Sequence, residues 1–143
     1  MKITAAQLGT LGLRLALGVN MLIHGWMRVG SGFDKFQAGL LKTFSESSLP
    51  PFLVEAAAHT IPYVELLLGF TLLLGLKTKW VAFFGALFMC TLIFGMGVLQ
   101  NWEVVGSQMI YVICFYLLLQ SPELDFGGID VLFKSNPKTI RPN

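Results

Sequence analysis

Four long apolar runs constrain this chain more than any other feature. A membrane-crossing helix needs about 20 mainly apolar residues. Residues 5–29, 52–76, 80–99 and 104–120 reach or approach that length, and the third run carries no charge at all. Lipid offers no partner for backbone polar groups, so each run must be helical to satisfy its own. Charged residues make up only 13% of the chain and hydrophobic ones 55%. Soluble domains average about 25% charged. The expected fold class is therefore all-α: an integral membrane, four-helix transmembrane bundle. The first run is too long for the apolar core of a cleaved signal, about 7–15 residues, and reads as a retained span.

The links set the topology. "QNWE" joins the third and fourth runs and "KTK" the second and third, both tight enough to make neighbours antiparallel. The first link, residues 30–51, is longer. Within it Phe33, Phe36, Leu40, Leu41 and Phe44 recur at helical spacing, while Asp34, Lys35, Lys42 and Glu46 face elsewhere. That pattern predicts a short helix, either lying on the membrane surface or packed as a cap over the bundle. "SSLPP" punctuates the chain before the second run, with Ser48 as a candidate N-cap. Residues 1–133 form the expected four-helix transmembrane domain. The first half of the polar tail, "SPELDFGGIDVLF", keeps enough apolar residues to dock on the bundle, and residues 134–143 are expected to be disordered.

Basic residues orient the bundle. Four spans place both termini and the "KTK" turn on one side, with Lys2, Lys77, Lys79, Lys134, Lys138 and Arg141; the other side holds Arg28, Lys35 and Lys42. Six against three predicts cytoplasmic termini. The net charge of +2 is too small to suggest a nucleic-acid partner. Cys90 and Cys114 sit alone in separate apolar runs, without metal spacing or a basic neighbour, and read as packing residues.

Polar residues inside the first two runs are the candidates for function, because such groups are costly in lipid. At about 100° per residue, Arg14, His24 and Arg28 share an arc of about 80° with Gly18 and Gly25, and Asn20, His24 and Arg28 form an adjacent row. On the second run Glu55, His59, Pro62, Glu65 and Gly69 share about 120°. Both stripes should face inward. If the helix ends are level, Arg14 and Glu65 both lie about 14–17 Å deep, near the midplane. They then form either an ion pair that fixes helix register or a direct contact to a ligand. Arg28 reads as an interfacial side chain reaching for water. His24 and His59 come out at a similar depth, with Glu55 placed to orient His59. Two histidines are few for a zinc site, and haem between them would require the small bundle to open. A hydrogen-bonded pair, or a histidine on a quinone oxygen, fits better. Gln108 and Tyr111 add donors on the fourth run, usually interhelical glue.

Three segments resemble the DoxX family. "RLALGVNMLIHGWMR" is similar to its first-helix pattern: an arginine, a glycine four later and a His-Gly pair before a basic residue. "PYVELLLGFTLLLGLKTKWVAF" resembles its second-helix signature, and "GGIDVLF" its C-terminal Gly–Asp ending. Arg28 stands where that family usually has lysine. The resemblance spans residues 11–132. It implies a small four-helix protein of the bacterial inner membrane, in a family named for a subunit of thiosulfate:quinone oxidoreductase that also has relatives serving as assembly partners.

Two functions stay open. The first is a membrane subunit of a redox system that binds a quinone or similar amphiphile through Arg14, Asn20, His24, Glu55, His59, Glu65 and Gln108. The second is a non-enzymatic assembly factor or scaffold in which the same cluster only fixes packing. The sequence shows no nucleotide loop, no iron–sulfur spacing and no cysteine pair. Redox work would thus need a second subunit or a bound cofactor. Gly85, Gly95 and Gly97 leave room for close contact between copies.

Overall fold

Residues 3–121 and 127–129 are described by the computed structural model. They form five helices: α1 (Ala5–Val29), α2 (Phe33–Thr43), α3 (Pro51–Leu74), α4 (Thr78–Val98) and α5 (Trp102–Gln120). All but α2 are long and apolar enough to cross a membrane. Their outward faces carry Leu8, Val19, Ile23, Leu67, Phe70, Phe84, Ile110 and Ile113, all exposed. So wide an apolar surface matches lipid rather than water.

Local chemistry sets the helix ends. Thr4 and Gln7 form a reciprocal capping box at the start of α1. Asn101 accepts from the Val104 amide at the start of α5. Trp102 therefore begins α5 instead of sitting in the turn. Ser48 does not cap α3. The helix starts at Pro51 with Pro50 at the cap and no side-chain cap bond, because a proline in the first turn has no amide to satisfy. Gly75 ends α3 in the left-handed region, φ 65°, where a side chain would be strained. Lys77 follows with φ 44° and α4 begins at Thr78.

The helices associate as two close pairs, α1 with α3 and α4 with α5, with fewer contacts between the pairs. Glycines explain the first pair. A Cβ on Gly25 would strike the backbone of Leu66, and one on Gly69 the backbone of Leu22. Backbones that close exclude side chains and maximise dispersion contact. In the second pair the Phe115 ring packs on Gly85. Leu17, Met21, Leu68, Leu72, Ala82, Met89, Phe115 and Leu118 form the core that joins the pairs.

The expected short helix in the first link exists. Phe44 is buried and packs near Gly95, while Phe33 meets the rings of His59 and Tyr63. In the docking segment only residues 127–129 are described, and Gly128 is buried against Gly75. The expected disordered tail, residues 134–143, lies outside the described residues.

Candidate functional site: an intramembrane cavity

The register of α1 on α3 decides which polar groups meet. Gly18 lies level with Leu73, Leu22 with Gly69 and Gly25 with Leu66. The ends of the two helices are thus not level. α1 continues past the end of α3, and α3 continues past the end of α1, where α2 covers it. Glu65 falls opposite the C-terminal part of α1, and the Arg28 guanidinium donates to its Oε1. Arg14 lies fourteen residues back, about 21 Å along α1. The expected Arg14–Glu65 pair therefore does not form. The Arg14 guanidinium lies instead against Gly75 and Gly128, 1% exposed. Neither glycine could carry a side chain there.

Between the two helix pairs, and under α2, lies a cavity of about 460 Å³. Its walls are largely apolar, with Met21, Phe36, Leu40, Phe44, Val54, Ile61, Met89 and Leu92 among them. Asn20, His24, Arg28, Glu65, Ser107, Gln108 and Tyr111 supply its polar surface. The α1 row repeats every four residues, so Asn20, His24 and Arg28 present themselves about 6 Å apart along one face. Tyr111 donates to Asn20 Oδ1 at 3.1 Å, tying α5 to α1. His24 Nδ1 donates to its own Asn20 carbonyl at 2.9 Å. Phe36 stacks its ring 4.7 Å from Arg28 Cζ, a cation–π contact that seats α2 on the ion pair.

Of the expected site residues, Asn20, His24, Glu65 and Gln108 come together. Arg14, Glu55 and His59 do not. Glu55 is exposed. His59 is exposed and turned to α2, where Gln37 Nε2 donates to its Nε2 at 3.1 Å and its Nδ1 donates to the Glu55 carbonyl at 2.9 Å. His24 and His59 do not converge, because His59 sits about one and two-thirds turns beyond Glu65, level with α2 rather than α1. Among the described residues no cluster of three histidine, cysteine or acidic side chains could hold a metal.

Two cavity residues stand in the sequence with other readings, Arg28 as an interfacial side chain and Tyr111 as interhelical glue, and the second reading matches the Tyr111–Asn20 bond. Arg28 shares its row with Asn20 and His24, which marked it as inward-facing. Tyr111 sits one turn from Gln108 on the same face. The methionines of the α4 wall, Met89 and Met96, had no such signal.

Residues 9–97 match the family model described as DoxX. The match takes in α1 to α4 and stops before α5, which supplies Gln108 and Tyr111. No curated protein and no solved structure matches. A match over more than half of the chain, on the helices that build the α1–α3 pair and the cavity, shows that the protein belongs to the DoxX family.

Proposed function

We propose that this integral membrane protein holds a quinone or a similar amphiphile in the cavity, as the membrane subunit of a redox system. One observation carries the reading: a cavity of about 460 Å³ with apolar walls and a compact group of polar side chains. Small-molecule sites occupy about 300–1,000 Å³ and combine these two features. The residues fit such a ligand. Buried polar atoms on Glu65 and Gln108 await a partner among the described residues, and methionine and aromatic walls suit a ring and its tail. A quinone would supply a two-electron couple. The chain's own residues would do the holding: Asn20 and Gln108 amides and His24 orient the head, and Phe36, Leu40 and Phe44 of α2 exclude water. Electrons would come from a second subunit.

We place the protein in the bacterial inner membrane with both termini in the cytoplasm. Arg28 is engaged with Glu65 inside the bundle, so it drops out of the loop count. Six basic residues then stand against Lys35 and Lys42.

The test is to purify the full chain in mild detergent and identify extracted small molecules by mass spectrometry. A quinone that co-purifies and is depleted in Gln108→Leu supports the function. Phospholipid alone, in equal amounts from both proteins, overturns it. A second reading, a scaffold whose polar cluster locks packing, is favoured by the Arg28–Glu65 pair. It expects Glu65→Gln to lower thermal stability and change nothing else.

A further inference from the structure

We infer that the cavity selects an amphiphile whose head donates hydrogen bonds, a neutral phenol or alcohol, over the same molecule with that proton replaced. The inference deepens the amphiphile-binding function proposed above and rests on it. Its basis is the direction of the hydrogen bonds already made. Glu65 is 3% exposed, and its Oε2 is buried with no hydrogen-bond partner among the described residues. Gln108 Oε1 is in the same condition. Both residues line the cavity. Tyr111 meets Asn20 on α1, and Gln108 precedes Tyr111 by one turn of the antiparallel α5. That places Gln108 level with His24 and within about one turn of Glu65.

The hydroxyl and imidazole protons around the cavity are already committed. Tyr111 gives its proton to Asn20, and His24 gives its Nδ1 proton to a backbone carbonyl, leaving Nε2 an acceptor in the neutral ring. Ser107 donates to the Val104 carbonyl at 2.8 Å, and Thr91 to the Phe88 carbonyl at 2.7 Å. Their oxygens therefore present lone pairs. Arg28 balances the charge of Glu65; the Asn20 and Gln108 amide N–H groups can serve any ligand oxygen, but the buried Glu65 Oε2 and Gln108 Oε1 are satisfied only by a donor. A site built to receive an O–H rejects the analogue lacking it, because its buried acceptors then stay unpaired. For a quinone-type ligand this means preference for the dihydroxy form.

The experiment uses a matched pair, 4-nonylphenol and its methyl ether, titrated into the full-length protein in detergent, with partition into empty micelles subtracted. The expected result is that the phenol binds at least about tenfold more tightly. Gln108→Leu, which leaves the Arg28–Glu65 pair untouched, should erase most of that preference without weakening the ether. Equal affinities for the two probes, or a tighter ether, overturn the donor preference while leaving a binding cavity in place. Binding of neither probe overturns both the preference and the amphiphile-binding function. The comparison on the unmodified protein decides the question even if Gln108→Leu does not fold.

Discussion

The Arg28 guanidinium on α1 donates to the Glu65 carboxylate on α3, and the Phe36 ring of α2 lies over it. Three helices thus meet at one charge pair. Removing one member of a buried pair leaves the other uncompensated, at a cost of about 3–5 kcal/mol. Arg28 is 30% exposed at its side chain, so Arg28→Met should fall near the lower end. Adding Glu65→Gln to that variant should recover much of the loss. Thermal unfolding in detergent of the two single variants and the double variant reads the coupling directly; simple additivity would show that the pair contributes nothing.

Gly25 and Gly69 set the closeness of α1 and α3. An alanine Cβ at position 25 would stand 2.7 Å from Leu66 Cα, and neither backbone can give way cheaply. Gly25→Ala should destabilise by about 1–3 kcal/mol, the usual cost of overpacking. Gly12 has nothing within 4 Å of its hypothetical Cβ. Gly12→Ala should be neutral or stabilise by up to about 1 kcal/mol, through helix propensity alone. Paired melting curves separate the two cases.

Gly75 carries two constraints at once. Its φ of 65° disfavours a side chain, and a Cβ would collide with the Arg14 guanidinium. A non-glycine residue in the left-handed region costs about 1–2 kcal/mol before any clash. Gly75→Ala should therefore destabilise more than Gly25→Ala's lower bound, and Arg14→Ala should relieve only the clash with the guanidinium, leaving the backbone strain and the contact with Gly128 Cα. Comparing Gly75→Ala in both Arg14 backgrounds measures that clash.

His24 and His59 should behave differently. His24 lines the cavity, whereas His59 faces Gln37 and Phe33 of α2. His59→Phe should leave ligand affinity within about twofold while loosening α2, seen as faster protease cleavage near residues 44–50; ordinary surface changes stay within about 0.5 kcal/mol. His24→Leu should lower affinity for a polar-headed amphiphile about tenfold by removing a hydrogen-bonding partner. Equal effects from both histidines would contradict the register of α3.

Hydropathy and helical periodicity alone determined the number of long helices, their approximate ends and the short helix in the first link. These follow from local rules: the length needed to cross lipid, and 3.6 residues per turn. The family was also legible, since its signatures are short and contiguous. The sequence could not decide which residue of one stripe opposes which residue of the other. Arg14–Glu65 looked natural only because helix ends were taken as level. Gly25 and Gly69 set a sheared register instead, by allowing backbone contact at one set of depths and no other, with the Leu73 side chain seated on Gly18. That shear carries Glu65 to Arg28, places Arg14 between Gly75 and Gly128, and moves His59 out to α2. It also leaves the space between the two helix pairs that becomes the cavity. Register depends on how non-local surfaces interlock, so only the tertiary structure could decide it.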